Sequence, residues 1–224
     1  MRLFDGLRAD GAIVAEPTEM RMVSASKGVL RWRMRTLGIA AHSAKPHLGV
    51  NAISKMAALI GALDRENEKL AARSHPLLGP GTLNIGLIQG GEQINFVPDR
   101  CEIAIDRRLI PGEDPHRVWD GYAELARHLD CVIDPPFIAD SALETSLDSA
   151  VAVTAGRVLQ SMGQTAEPVG VPFGSDASKL ARAGVPSIIF GPGSIDRAHA
   201  AVEYVECDQV SEAAAFHRNF LLEF

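Results

Sequence analysis

Residues 28–38 alternate between apolar and basic side chains, which is the period of a β-strand with one buried face. Such alternation is typical of an antiparallel sheet that is covered on one side only. The basic face could bind an anion. Charged residues are routine on exposed sheet faces, so salt bridges to a neighbouring strand are the simpler interpretation. The apolar set is Leu30, Trp32 and Met34, and the basic set is Arg31, Arg33 and Arg35.

Further elements follow along the chain and together indicate a ferredoxin-like domain. Apolar residues recur at helical spacing from about 50 to 70, and residues 82–89 and 100–109 predict two strands. A second amphipathic helix begins behind Pro115, and Val132-Ile133 begins a last short strand. The order strand, helix, strand, strand, helix, strand is that of the split β-α-β motif, whose sheet is covered by helices on one face.

The C-terminal segment alternates helices and strands. Residues 134–136 and 140–148 are Pro-rich or polar and predict a linker. The α/β layer beyond it should be half of a layered domain, so its sheet should keep an apolar edge that needs a cover. The helices are expected near 148–163, 176–183 and 208–222, and the strands near 167–171 and 185–190.

Composition narrows the function classes. A net charge of -6 argues against nucleic acid as a partner, because nucleic-acid binding depends on Lys and Arg neutralising phosphates. We find no apolar run of the length that a membrane span needs, and no signal-peptide core. Three cysteines without metal or redox spacing indicate packing residues in a reducing cytoplasm. They are Cys101, Cys131 and Cys207.

Two residues stand where metal ligands are often presented. His199 follows the apolar run 185–190 and a Gly/Pro-rich turn, so it should lie on a loop at the carboxyl end of a strand. Glu16 ends the apolar run 12–15 and precedes a proline, so it should point away from a sheet. Taken alone, the first could be an ordinary surface histidine and the second an ordinary turn residue.

Five regions, in order, resemble motifs of the M20 family of zinc aminoacylases and peptidases. This family includes acetylornithine deacetylase, succinyl-diaminopimelate desuccinylase and carboxypeptidase G2. Several such regions in register are far more specific than any one of them. The regions are Ala-Glu-Pro-Thr at 15–18, Ala-His-Ser-Ala-Lys-Pro at 41–46, the pair 94–99 and 106–111, Gly-Ser-Asp-Ala at 174–177, and the stretch 191–205.

The resemblance implies roles for these residues. Glu16 and His199 would each bind one of two zinc or cobalt ions, and His42 would be a catalytic residue reaching an active site across a dimer. The substrate-binding residues would be Asn95, Arg108, Gly174 and Ser175. The substrate would be a small N-acyl amino acid or peptide, and the protein a homodimer through its lid domain.

The resemblance also implies an architecture. We expect a remnant of a catalytic domain at 1–25, a ferredoxin-like lid and dimerisation domain at 26–139, and the C-terminal part of an α/β zinc-hydrolase domain at 140–224. The family's His-x-Asp motif and Glu-Glu pair have no counterpart before Glu16, so we expect the polypeptide to be inactive alone. The alternative is a non-catalytic dimerisation or amino-acid-binding module derived from the same family.

Overall fold

The computed structural model describes residues 8–198 and 200–224, which divide into two compact units. The first unit holds residues 29–75 and 79–140. The second holds residues 8–28, 76–78 and 141–224.

The structure contains both helices and strands, several of the strands only two or three residues long. The helices are α1 (Ala52–Leu70), α2 (Pro115–His128), α3 (Ala150–Ser161), α4 (Ala177–Arg182) and α5 (Cys207–Glu223). The strands are β1 (Ala12–Val14), β2 (Val23–Ser26), β3 (Gly28–Leu37), β4 (Ala41–His42), β5 (Ser74–His75), β6 (Gly79–Pro80), β7 (Thr82–Gly90), β8 (Phe96–Val97), β9 (Arg100–Leu109), β10 (Val132–Ile133), β11 (Ile138–Asp140), β12 (Leu143–Glu144), β13 (Val169–Val171) and β14 (Ser187–Ile189).

The first unit is the predicted sheet with two covering helices. Its strands run in the order β10-β3-β9-β7, and β7 pairs with β9 in antiparallel register from Thr82↔Arg108 to Gly90↔Cys101. The apolar sides of β3 and β9 pack against α1 and α2, which confirms the mixed α/β fold expected from the alternation. Its core is formed by fully buried side chains, among them Trp32, Met34, Met56, Leu59, Leu63, Ile103 and Leu109.

The opposite sheet face carries the ion pairs that the alternation favours. Arg31 Nε lies 2.6 Å from Asp106 Oδ2, and Arg33 Nη1 lies 2.7 Å from Glu102 Oε1. The hydrogen bond from Arg33 lowers the pKa of the Glu102 carboxyl below its ordinary value. Because these side chains are partly exposed, each pair adds at most about 1 kcal/mol to stability.

The predicted linker, 134–136 and 140–148, contains strand residues in its second stretch, because Asp140 ends β11 and β12 lies at Leu143–Glu144. Residues 138–140 form β11, which pairs with β3 in the register Ile138↔Arg31 to Asp140↔Val29. The reason lies in strand length, because β10 pairs with only Met34 and Arg35 and leaves the first half of the ten-residue β3 open.

The second unit is a small mixed sheet packed on helices. β1 pairs with β14 in parallel, and β2 pairs with β12, β13 and β14. The Phe190 and Phe216 rings lie 4.0 Å apart between their centroids, and α3 and α5 complete the core around them. Among the strands that the structure describes, β1 pairs with β14 alone. None of the described helices is both long enough and apolar enough to cross a membrane.

Candidate functional site

The segment after β1 crosses the turn after β14 at very short range. A Cβ atom added to Gly191 would lie 2.6 Å from the Glu16 carbonyl oxygen, so only glycine fits there. The buried Thr18 joins the two segments, because Gly191 N donates to Thr18 Oγ1 at 3.1 Å and Thr18 Oγ1 donates to the Arg21 carbonyl at 2.8 Å. The crossing therefore fixes the backbone of Glu16 against the turn that leads toward residue 199.

The same crossing holds two residues in an unfavourable backbone conformation. Glu19 has φ 53° and Met20 has φ 61°, values in the left-handed region that residues with a Cβ seldom adopt. Both are held by hydrogen bonds to the turn, from Glu19 N to the Gly193 carbonyl at 2.8 Å and from Met20 N to the Gly191 carbonyl at 3.1 Å. Backbone strain of this kind concentrates at functional sites, which is consistent with a site beside Glu16.

The proposed metal ligands are not assembled into a metal centre by the described residues. Glu16 is half-buried at the crossing, whereas His199 lies outside the described residues. Within 8–198 and 200–224, no three His, Cys, Asp or Glu side chains come together as a metal would require. Zinc in catalytic sites needs about three protein ligands, and the described residues do not by themselves supply that set for the zinc or cobalt that the resemblance implies.

His42 and Asn95 lie together in the first unit. β4 pairs with β8 through His42↔Phe96, and Ser43 N donates to the Asn95 carbonyl at 2.9 Å. The His42 side chain is exposed, and its Nδ1 accepts a hydrogen bond from Ala44 N at 3.1 Å. A neutral imidazole whose Nδ1 accepts must carry its proton on Nε2, so His42 presents a hydrogen-bond donor to its surroundings.

Arg108 lies near the end of β9, in the large sheet of the first unit, whereas β4 and β8 form a separate two-stranded sheet. Asn95 stands just before β9 and Arg108 near its end, and a ten-residue strand spans about 30 Å. The Arg108 guanidinium is held by Asp106, with Nε 2.7 Å from Oδ1. Asn95 thus precedes the start of β9 and Arg108 lies near its end, and the substrate-binding roles of both stay predictions.

Asp106 is shared between two arginines. Its Oδ2 also accepts from Arg31 Nε at 2.6 Å, so the group of Asp106, Arg31 and Arg108 keeps one excess positive charge. With this excess positive charge, a guanidinium of the group can bind a further carboxylate through paired hydrogen bonds.

Gly174 and Ser175 precede α4 in the second unit. Ser175 is buried, and its Oγ accepts from Ala177 N at 3.4 Å while its carbonyl accepts from Ser178 Oγ at 2.9 Å. Gly174 is exposed. The structure thus uses Ser175 to shape the start of α4 and leaves the adjacent glycine open to solvent.

Two residues were missed by reasoning from the sequence. Thr18 organises the crossing, but a single threonine after a proline carries no periodic signal. Arg107 is almost fully buried, with 1% of its side chain exposed, and pairs with Glu113 at 2.6 Å. Its place on the apolar face of β9 follows from the alternation of Cys101, Ile103 and Ile105, which could have revealed it.

Comparison with known proteins identifies the chain. Residues 24–130 match the peptidase dimerisation domain of the M20 family. Over 94% of its length the chain is 31% identical to the acetylornithine deacetylase of Myxococcus xanthus and covers 58% of that protein. The chain contains an M20 peptidase dimerisation domain. A probable carboxypeptidase of Aspergillus flavus is also 31% identical over 93% of this chain, which covers 50% of that protein.

Solved M20-type structures share the fold. Aminopeptidase PepT of Bacillus cereus matches 97% of this chain with a TM-score of 0.74 at 21% identity, and the match covers 58% of PepT. The M20 family metallo-carboxypeptidase Sso-CP2 of Sulfolobus solfataricus matches 97% of this chain with a TM-score of 0.72 at 18% identity, and the match covers 64% of that chain. This chain thus spans about half the length of the curated M20 relatives it matches.

These matches confirm the resemblance indicated by the motifs. They do not test the roles of individual residues, so the roles of Glu16, His42, Asn95, Arg108 and His199 stay predictions. Among the described residues, the structure places the segments of His42 and Asn95 side by side and Arg108 near the end of β9.

Proposed function

We propose that the chain is the dimerising and substrate-binding part of an M20-type hydrolase for N-acyl amino acids or small peptides. The relatives it matches are named acetylornithine deacetylase and carboxypeptidase, which supports a substrate with a carboxylate and an amide-type bond. The observation that carries the proposal is the group of Arg108, Arg31 and Asp106, whose one excess positive charge suits a substrate carboxylate.

Dimerisation is supported by the outer edge of β7. Residues 82–90 contain neither a charge nor a proline, the two devices that natural proteins use to block edge-to-edge pairing. In the described part of the first unit, β7 pairs with β9 only. Leu87 and Ile88 on this edge are 65% and 59% exposed. We assign this edge to a second copy of the chain, since the matched family is a dimerisation domain.

A two-fold axis at this edge would let two protomers contribute different binding residues to one site. His42 and Asn95 lie in segments that precede β9, whereas Arg108 lies near the end of that ten-residue strand, which spans about 30 Å. One protomer would supply Arg108 for the substrate carboxylate, and its partner would supply the other two. His42 Nε2 would then donate a hydrogen bond to the oxygen that gains negative charge when the amide is attacked.

Arg108→Gln tests the carboxylate role. We expect binding of N-acetylornithine to weaken about tenfold or more, as the loss of a charge-assisted hydrogen bond predicts. The measurement is calorimetric titration of the purified chain. Arg33→Gln is the matched control, because Arg33 lies on the same sheet face and is also paired with a carboxylate, Glu102. Equal weakening in both variants, or no weakening in either, would contradict the assignment.

Zinc binding is a second test. With no three-ligand group among the described residues, we expect the 224-residue polypeptide to bind zinc weakly and to release no acetate from N-acetylornithine. Glu16 and His199 are the proposed ligands, so His199→Ala should remove whatever tight zinc binding calorimetry detects. A variant that kept such binding unchanged would rule out His199 as a ligand.

The non-catalytic alternative has one observation in its favour. The described residues bring no metal-ligand group together, whereas the dimerisation edge and Arg108 are both in place. A module that dimerises and holds an amino-acid-like carboxylate needs only these parts. N-acetylornithine binding without metal would support it.

A cytoplasmic location is also proposed, supported by three cysteines that are all free thiols.

A further inference from the structure

A small cavity lies on the helix side of the sheet in the first unit. It has a volume of about 320 Å3 and opens between α1, α2 and the end of β9. Leu70, Val118 and Leu125 give it apolar walls, while Arg107 and Tyr122 supply polar groups. Arg107 alternates with the core residues of β9, so the cavity lies on the opposite side of the sheet from Arg108.

Arg107 brings a buried positive charge to this cavity. Its Nη2 lies 2.6 Å from Glu113 Oε1, and its Nη1 donates to the Arg108 carbonyl. Its Nε is buried and has no hydrogen-bond partner among the described residues. An unsatisfied N–H on a buried charged group is costly, and in native proteins it usually marks the place of a water or a ligand.

Two glycines leave room that side chains would otherwise fill. A Cβ on Gly81 would collide with Arg107 Nη1 and lie 3.1 Å from Cζ, so the guanidinium depends on that glycine for its position. Gly121 lines the cavity from the interior of α2, and a Cβ there would meet nothing within 4 Å. Glycine weakens a helix interior, and no packing constraint requires it at this position.

The charges around the cavity favour an acid with a single negative charge. Glu113 is neutralised by Arg107, and Glu66 by Lys69 at 2.7 Å. Arg117 at the rim has no hydrogen-bond partner for its side chain among the described residues, so its N–H groups are open to a ligand, and Asp114 is the nearby carboxylate on which its charge acts. The two nearby carboxylates would repel a dianion such as phosphate, and the apolar walls suit an aliphatic tail.

We propose that this cavity binds a small aliphatic monocarboxylate, with Arg117 at the rim facing its carboxylate, the buried Arg107 adding positive charge behind it, and Leu70, Val118 and Leu125 facing its tail. Tyr122 stays a protonated phenol in this setting, because burial raises the pKa of its hydroxyl, an effect that nearby Arg107 opposes only in part. The bound acid would tie α1 to α2. The proposal is independent of the hydrolytic function proposed above, since it uses none of the same residues.

Titration of the full chain with isovalerate tests the site. Binding is followed by NMR through the amides of α2 and the indole N–H of Trp32, whose ring lies 4.8 Å from that of Tyr122. We expect saturable shifts with isovalerate and none with isoamyl alcohol, which has the same tail and no charge. Gly121→Leu should fill the cavity and abolish the shifts while the protein stays folded and at least as heat-stable.

Gly61→Leu is the matched control, since Gly61 is also a glycine inside a helix but does not line the cavity. It should bind isovalerate like the unmodified chain. Arg117→Gln should weaken binding about tenfold, the size expected for one charge-assisted hydrogen bond. The proposal is overturned if isoamyl alcohol or inorganic phosphate binds as well as isovalerate. It is also overturned if isovalerate gives no saturable shifts, or if Gly121→Leu leaves them unchanged.

Discussion

Ile88→Lys is expected to convert a dimeric chain into a monomer. Ile88 lies on the uncharged outer edge of β7 with 59% of its surface exposed, and the register Ile88↔Ile103 places it on the helix side of the sheet. In a two-fold pairing of β7 edges, the substitution puts one lysine from each protomer near the axis, where both lose solvent and repel each other. Burying an unpaired charge costs about 3 kcal/mol or more, roughly a hundredfold in the dimer dissociation constant.

Light scattering coupled to size-exclusion chromatography measures the conversion of the dimer into a monomer as a halving of the molecular mass. Val153→Lys is the control, because Val153 is an aliphatic residue of similar exposure, 45%, on α3 of the second unit. It should leave the mass unchanged. A mass unchanged in Ile88→Lys, or halved equally in Val153→Lys, would exclude the β7 edge as the dimer interface.

Local periodicity was enough to predict the long elements. Alternation predicts β3 and β9, and helical spacing predicts α1 within two residues of its ends and the start of α2 at Pro115. The short strands could not be predicted in this way. β11 exists because β10 covers only part of β3, a fact about the partner strand that residues 138–140 do not carry themselves.

Some residues of the candidate site were predicted from the sequence, and others were not. Motif resemblance gave roles to both His42 and Asn95, and the pairing of β4 with β8 brings their two segments together, which the sequence alone did not predict. It also gave substrate-binding roles to Asn95, which precedes the strand predicted at 100–109, and to Arg108, which lies near its end. The buried pair of Arg107 and Glu113 could be found only by asking which face of β9 each residue occupies.

Thr18 shows a different limit of sequence reasoning. Its hydroxyl joins segments 173 residues apart in the chain, so no local pattern could reveal the contact. The positive φ values of Glu19 and Met20 likewise arise from hydrogen bonds to Gly193 and Gly191. Residues that fix a site through distant contacts become visible only in three dimensions.

Gly191→Ala is expected to open this crossing and destabilise the second unit. The added Cβ would stand 2.6 Å from the Glu16 carbonyl oxygen, and because that neighbour is backbone, the two segments must move apart. The movement would strain the hydrogen bonds of Thr18, Glu19 and Met20 to the turn. We expect a loss of about 2–3 kcal/mol in the free energy of unfolding, the range of overpacking at a constrained site.

Urea unfolding of the purified chain, followed by circular dichroism, measures this loss, and Gly156→Ala provides a control of opposite sign. Gly156 lies inside α3, and a Cβ there would make an ordinary contact at 3.7 Å with the Cβ of Ala166. The same substitution should therefore stabilise the protein by up to about 1 kcal/mol through helix propensity. If Gly191→Ala proved as stable as Gly156→Ala, the segments would not be in tight contact, and Glu16 would not be held against the turn that leads to residue 199.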